Sequence, residues 1–356
     1  MATATYGRAG VPSTKTLNLD YVFAQSLAAS RKTMEDNITS NNALWHLIKK
    51  NGTYESQDGG TNIEAPLRYA NNAPDTYSGY DTLDVTPIDG VTKALFDWRD
   101  VSTSIIVSHK ERRENAQRII NLVETKLQQA SDGMQEFIPT MLFQGNGAGA
   151  LNTPRVSSRN GSLGITPLGQ LVPLDPTTGV IGNIDPATET WWQSQQTAST
   201  ATTYDALLRE VDLLIANAGK GTGGKPDLLI TDLTTFITLK FAIYQRNRSD
   251  PQPVANFPFE SVSHNGTAIT WDEKVPDLSG GGLDATASGA LGTMWALNSK
   301  YFKVIYDSET NFKMRPFMEM PLQNAKAAHI FWRGNTVMTN RRKHGVLTNI
   351  SRGIVA

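Results

Sequence analysis

Ser108-His109-Lys110-Glu111-Arg112-Arg113-Glu114-Asn115-Ala116-Gln117-Arg118-Ile119-Ile120 is the stretch on which the fold turns. Its first four residues fit a capping box. A serine hydroxyl accepts from a first-turn amide, and the glutamate three positions on reaches back. Behind it Ala116, Ile119, Ile120, Val123, Leu127, Ala130, Met134, Phe137, Ile138, Met141 and Leu142 recur three or four apart. That spacing puts one continuous apolar stripe on a helix. It predicts a single helix over about 108–144, ~50 Å long at ~1.5 Å per residue. Gly133 and Pro139 predict a bend or break near its end. Gly145-Asn146-Gly147-Ala148-Gly149 closes it.

Upstream, Gly59 to Asp100 reads as a polar, aromatic-spotted extended arm. One limb is Thr61 to Tyr69. The other is Leu83 to Trp98, carrying Val85, Ile88, Val91, Leu95, Phe96 and Trp98. Between them Asn71-Asn72-Ala73-Pro74-Asp75-Thr76-Tyr77-Ser78-Gly79-Tyr80 is a turn-rich tip. Pro66 and Pro87 suit edge positions and discourage runaway pairing. An isolated two-stranded hairpin is marginal in water. An arm of this kind is therefore expected to need a neighbour, which suits a building block better than a catalyst.

The remaining chain alternates loops and regular elements. Met1 to Asp20 is a loose arm of low hydrophobicity. Leu19 to Lys50 carries Val22, Phe23, Leu27, Leu44, Leu47 and Ile48 at helical spacing, and Asn51-Gly52 supplies a helix stop. Leu151 to Thr203 is loop-heavy. Tyr204 to Ala218 predicts a helix, Asp227 to Thr231 a buried strand and Thr234 to Arg246 a second helix, together one α/β layer. Glu260 to Asp272 predicts a hairpin turning at Asn265-Gly266. Ser279 to Gly292 is a small-residue loop. Met294 to Ile305 is strand-like with an interruption. His329 to Asn340 predicts two strands joined at Gly334-Asn335.

Composition excludes several classes. The 356 residues exceed what one compact core usually holds, so two domains are expected. The chain has no cysteine, which removes disulfide frameworks, thiolate metal sites and thiol nucleophiles, and fits a cytosolic protein without thiols. No apolar run approaches ~18 residues, and the N-terminus has no apolar signal core, so neither a membrane span nor secretion is expected. Net charge is −1, giving no global pull on nucleic acid. The charge is uneven, however. After Glu319 no acid remains, while Lys326, Arg333, Arg341, Arg342, Lys343 and Arg352 follow.

Catalytic signatures are weak. Gly219-Lys220-Gly221-Thr222-Gly223-Gly224-Lys225 matches a phosphate-binding loop by spelling. Pro226 stands where the magnesium-binding hydroxyl belongs, and the predicted order is helix-to-strand rather than strand-to-helix. His46, His109, His264, His329 and His344 have no zinc-helix spacing. No G-x-S-x-G elbow occurs. Asp185, Glu189, Trp191 and Trp192 suggest either a sugar platform or, more simply, aromatics anchoring a loop. Arg341-Arg342-Lys343-His344 suits nonspecific contact with DNA phosphates or salt bridges to a neighbouring subunit.

Taken in order, these pieces resemble a tailed-phage major capsid protein of the Hong Kong 97-type fold. The resemblance spans roughly Leu17 to Ile350. Its carriers are Gly59-Gly60-Thr61-Asn62-Ile63-Glu64-Ala65-Pro66-Leu67, Tyr77-Ser78-Gly79-Tyr80-Asp81, Ser108 through Asn115, Gly145-Asn146-Gly147, Ile184-Asp185 with Trp191-Trp192, Leu297-Asn298, and Gly334-Asn335 leading to Asn340-Arg341-Arg342 and Gly345. It implies an α+β fold with an N-terminal arm and short helices over 1–50, and an extended E-loop hairpin over 56–101. The implied peripheral domain covers 102–153 and 312–356, with a spine helix at about 108–144, and an axial α/β domain covers 154–307.

The implied function is assembly into pentamers and hexamers of an icosahedral shell around double-stranded DNA. The shell would be built in a bacterial host cytoplasm without cofactor, metal or catalysis. Implied partners are further copies, a scaffolding protein, a portal protein and a decoration protein, with DNA held nonspecifically. Little precedes the arm, so scaffolding is expected from a separate chain or from a segment already removed, and the initiator Met1 favours the first. Lys93, the arm's only lysine, sits near its base, so covalent cross-linking between subunits is not expected. Candidate contact residues are Tyr77, Tyr80, Phe96 and Trp98 on the arm, and Arg341, Arg342 and Lys343 in the tail. The alternatives are an encapsulin-like shell around protein cargo, a nucleotide-dependent enzyme using Gly219 to Lys225, and a carbohydrate-binding module using Trp191 and Trp192.

Overall fold

The computed structural model describes residues 43–72, 74–80, 82, 86–114, 119–146, 151–247, 260–275, 291–321, 323–351 and 354. The expected N-terminal arm, the first short helix, the start of the second arm limb, the closing Gly147 and Gly149, and most of the loop after Ser279 lie outside these residues. Helix α1, Ala43–Lys50, buries Ala43, Leu44, Trp45 and Ile48. It stops where expected, with Gly52 at φ 68° and Asn51 N–H donating to Leu47 O.

The first sheet is organised by one strand. Strand β12, Ala325–Met338, pairs along one edge with β4, Arg99–Ser108, in an unbroken antiparallel register from Ala325↔Ser108 to Gly334↔Arg99. Its other edge is shared in succession by β11, Lys313–Glu319, and β10, Phe302–Tyr306, and β10 in turn carries β1, Tyr54–Ser56. The expected turn at Gly334-Asn335 is corrected: β12 runs straight through it. A Cβ on Gly334 would lie 2.7 Å from Ile305 O and 2.8 Å from the Trp332 ring, so glycine serves close packing here rather than a turn. Asn335 is buried inside the sheet. Its Oδ1 accepts from Thr166 N–H at 2.9 Å and Thr336 N–H at 2.8 Å, and its Nδ2 donates to Asp97 O at 2.8 Å. One side chain thus ties the sheet, the 166 loop and the end of the arm.

Strand β4 leads directly into helix α2, His109–Glu114, and helix α3, Ile119–Gln144, follows residues 115–118. The capping box forms: Ser108 N–H donates to Glu111 Oε2 at 3.2 Å, and Lys110 N–H donates to Ser108 Oγ at 3.1 Å. Lys126, reaching back from α3 to Glu111 at 2.7 Å, together with the Ser108 amide, holds that carboxyl below its usual range. Neither Gly133 nor Pro139 interrupts α3. Beside the proline, Thr140 Oγ1 donates to Glu136 O at 2.6 Å.

The second sheet has six strands in the order β5, Gln195–Ala198; β13, Gly345–Ser351; β9, Leu291–Leu297; β6, Leu228–Thr231; β8, Thr267–Trp271; β7, Ser261–His264. Two corrections to the expected partition follow. Strand β10, expected with 154–307, pairs into the first sheet, and β13, expected with 312–356, pairs into the second. The β7–β8 hairpin turns at Asn265 (φ 49°) and Gly266 (φ 73°), as its sequence predicts.

Alternation in this sheet is complete. Leu229, Met294, Ala296 and Leu347 face a core under helices α5, Tyr204–Gly219, and α6, Leu233–Asn247. Leu228, Ile230, Trp295, Leu297 and Val346 face the opposite side, in one core with Phe143 of α3 and with Phe302, Ile330 and Trp332 of the first sheet. The two sheets therefore share an interior rather than forming independent domains.

At the joint, Asp272 caps α1 from outside its own helix. Its carboxylate accepts from Ala43 N–H and, at 2.9 Å, from Lys274 N–H. Burial pushes its pKa up to about 6, and Oδ2 has no hydrogen-bond partner.

Two predictions follow from this packing. Asn335→Ala leaves two amides and one carbonyl without partners at a buried position, so it should lower unfolding free energy by ~3 kcal/mol or more in urea denaturation. For Asp272, the folded chain holds its proton up to about pH 6, whereas an unfolded aspartate releases it near ~4. Its stabilising contribution is full below ~4 and lost as pH rises through about 6. Asp272→Asn should remove a pH dependence on the order of 2 kcal/mol between pH 4 and 7, read as the difference between variant and parent.

Candidate intersubunit surface

The arm divides into a seated root and a free tip. Its strands, β2, Asn62–Arg68, and β3, Val91–Asp97, pair from Asn62↔Asp97 to Arg68↔Val91. The second limb, expected from Leu83, is paired from Val91; residues 86–90 before it are outside any strand, and 83–85 lie outside the described residues. Ile63, Ala65 and Leu67 point one way with Ala94 and Phe96, and all are buried within the subunit. A tight turn at Gly182 (φ 64°) and Asn183 (φ 61°) covers them, bridged by Ile181↔Ile184. Leu95 N–H donates to Gly182 O at 2.9 Å, and a Cβ on Gly182 would lie 2.7 Å from Ala94 Cβ. Tyr69 stacks on Trp191 at 5.2 Å. The expectation that the arm cannot bury its own surface is thus corrected for the root, because glycine at 182 lets the body approach.

Of the four aromatic contact candidates, two sit in the root. Phe96 is buried against Gly182. Trp98 donates from Nε1 to Gly60 O at 3.0 Å, with the Arg333 guanidinium 5.1 Å from its ring centroid. Tyr77, 71% exposed, and Tyr80, fully exposed, stand free on the tip. Ile88 and Val91 are exposed as well.

The basic run is also divided. Arg341 is fully buried, donates from Nε to Leu171 O at 2.9 Å, and lies 5.8 Å from the Trp192 ring centroid. Burial lowers its pKa to about 10. Lys343 is buried too, its Nζ donating to Lys220 O at 2.8 Å and to Gly219 O and Gly221 O at 3.4 Å. It caps the C-terminal end of α5, where a cation suits the helix dipole. Among these three candidates only Arg342 faces solvent. Arg341 and Lys343 are held inside the subunit and are not available to a neighbour or to DNA. His344, buried behind them, has its pKa lowered to about 3 by burial and by Arg341.

The same geometry removes the phosphate-loop reading. Carbonyls of Gly219, Lys220 and Gly221 turn toward an ammonium, whereas phosphate needs converging amides. Lys225 donates to Asn265 O. Trp192 is buried and donates to Ile181 O at 3.0 Å, and Trp191 carries Tyr69, so the tryptophan pair anchors the arm's root instead of forming a platform. Among the described residues no group of three His, Asp or Glu side chains is placed to hold a metal.

One exposed feature escaped sequence reasoning. Leu233, Ile237, Phe241 and Tyr244 form an outer stripe on α6, with Leu213 exposed on neighbouring α5. The signal was present: α6 is apolar on both faces, with Phe236, Leu239, Ala242 and Ile243 buried. Such a helix needs cover on its second face.

Substitution separates the roles within the basic run. Lys343→Ala should lower stability by ~2 kcal/mol by stripping the α5 cap, while Arg342→Ala should stay within ~0.5 kcal/mol. Thermal or urea unfolding of the two variants checks the split.

No family model and no curated protein matches the chain. Solved structures do match. The cyanophage A-1(L) capsid subunit superposes with a TM-score of 0.58 at 14% identity, over 84% of this chain and 90% of that one. The capsid of Myoviridae phage XM1 gives 0.53 at 13%, over 85% and 92%. The holo-SrpI encapsulin complex of Synechococcus elongatus PCC 7942 gives 0.51 at 12%, over 86% and 88%. With a hairpin arm, a long helix and two joined sheets, the chain has the Hong Kong 97-like fold that phage capsid and encapsulin shell proteins share.

Proposed function

We propose that the chain is the major capsid subunit of an icosahedral phage shell enclosing double-stranded DNA. The observation that carries this reading is the hairpin, seated at its root and with Tyr77 and Tyr80 bare beyond it, on a fold shared over 84–85% of the chain with capsid subunits. In this reading residues 56–101 are the E-loop and 1–50 an N-terminal arm with short helices. Residues 102–153 and 312–356 form the peripheral domain with its spine helix at about 108–144, and 154–307 form the axial domain, with β10 and β13 exchanged as their pairing dictates. Each subunit lays its arm over the next, and the exposed stripe of α6 meets further copies around the capsomer axes. Burial at ~25 cal/mol per Å² is modest per contact but is repeated by every subunit. A separate scaffolding protein, a portal and a decoration protein complete the assembly, and DNA is held nonspecifically. The subunit performs no catalysis.

The encapsulin likeness supports a second reading, an empty-of-DNA shell around protein cargo. Electron microscopy of the expressed protein, alone and with its scaffold, tests both. Closed shells or capsomer rings are expected. A monodisperse monomer under both conditions would overturn the shell reading. Nucleic acid inside purified particles selects the capsid; an enzyme inside selects the encapsulin.

A further inference from the structure

Strand β4 has one open edge, and that edge lies in a charged groove. The strand pairs with β12 on one side and, among the described residues, with no strand on the other. Along an antiparallel strand, successive residues point their N–H and C=O to opposite edges. His109 N–H, just past β4, donates to Asn324 O on the β12 side. Ser108 N–H donates instead to Glu111, and Ile106 O accepts from Lys126 at 2.8 Å, both partners coming from α2 and α3. Asp100, Ser102 and Ser104 share the parity of Ile106 and Ser108, so their N–H and C=O face the open edge. Nothing among the described residues bonds them there.

Asp100, Val101 and Ser102 line a groove of about 680 Å³, closed by the end of α3 and the loop at 155–164. Phe137, Met141 and Leu163 give it an apolar floor, and Arg155 and Arg159 give it charge. The loop is fixed by the Val156↔Leu163 bridge and by Gly164 N–H donating to Arg155 O at 2.7 Å. No acid occurs between Leu151 and Gly164. The one acid lining the groove, Asp100, is engaged by Arg333 at 3.7 Å. Arg155 lies 5.0 Å from the Phe137 ring centroid, and neither groove arginine has an ion pair among the described residues.

Each part of the groove selects a different part of one ligand. An open strand edge offers alternating donors and acceptors, which a peptide backbone matches and a phosphodiester backbone, carrying acceptors only, does not. The arginines select carboxylates, and the floor selects an apolar side chain. Two charges on one wall call for two carboxylates on one side of the occupant, and along an extended chain one side recurs every second residue. Acids two apart occur in this chain only as Glu210 with Asp212 and Asp307 with Glu309. The first pair lies in α5 and the second in a turn closed by Thr310 N–H on Asp307 O. We propose that the groove docks an extended acidic peptide of another protein, laid as an added strand on Asp100 to Ser104 with its carboxylates on Arg155 and Arg159. Strand addition to an open edge gives such a contact its affinity, and the side-chain contacts give it specificity. The assignment stands on this geometry alone and does not depend on the shell reading.

The probe is a fluorescein-labelled peptide, Asp-Leu-Asp-Tyr-Asp-Leu-Asp, titrated with the full chain at low salt and read by fluorescence anisotropy. It should bind saturably, and more weakly as salt rises. Arg155→Glu with Arg159→Glu should weaken it about tenfold or more. Ser102→Pro removes an N–H that faces the open edge and leaves the β12 ladder intact, so it should weaken binding about fivefold. The same peptide N-methylated at alternate amides tests the strand contact without altering the chain, and should lose affinity similarly. A labelled single-stranded oligonucleotide should bind less well than the peptide. The assignment is overturned if the parent chain ignores the peptide. It is also overturned if charge reversal matters while Ser102→Pro and N-methylation do not, since that describes a plain anion surface. Binding that emerges only after residues 74–89 are replaced by a Gly/Ser linker would give the groove to the chain's own arm and overturn it too.

Discussion

The amide of Asn335 is the constraint on which the rest of the structure depends. It lies inside β12, the strand that carries β4 on one edge and β10 and β11 on the other. Its three hydrogen bonds reach the loop at Thr166, its own strand at Thr336 and the last residue of the arm at Asp97. A buried polar group is costly unless it is hydrogen-bonded. Each segment is therefore fixed by the presence of the other two. Gly334 completes the device, since any side chain there would press on Ile305 and Trp332. The arm's second strand ends at this point, so its junction with the body is set by this amide.

Legibility in the sequence followed the range of the interactions. The capping box at Ser108, the apolar stripe of α3, the stop after α1 and the turn at Asn265-Gly266 are local, and all were readable from residues a few positions apart. Strand β4 was missed although Val101, Ile105 and Val107 alternate toward the core. The arm reads as ending at Asp100 and the helix as beginning at Ser108, and the residues between carry no turn or cap that would mark off a strand of their own. Gly334-Asn335 was taken for a turn because the dipeptide carries that meaning locally; its partners lie some 170 residues away, at Thr166, where no local pattern reaches. The same limit applies to β10 and β13, whose sheets are chosen by tertiary pairing.

Charge was the least legible property at the candidate site. A run of basic residues reads as a solvated or polyanion-facing surface, but burial divides Arg341-Arg342-Lys343 into two structural side chains and one exposed one. Arg341 stays charged against a tryptophan ring and a carbonyl, and Lys343 saturates the end of a helix. The arm contrasts with this run: between Arg68 and Lys93 it carries four aspartates and no lysine or arginine, and Asp75 and Asp89 among them are exposed.

This division has an energetic logic for assembly. Association costs ~0.5–1.5 kcal/mol for each flexible side chain it immobilises, on top of loop ordering. An arm disordered along its whole length would carry that cost at every contact in a shell. Here the turn at Gly182 and the Trp191 ring order the root during folding of the single subunit. Tyr77 and Tyr80 beyond it stay exposed. The root therefore enters any contact already placed, and the side chains left to meet another surface are few. The buried face of β2 and β3 and the bare tyrosines beyond it divide the arm between folding and recognition.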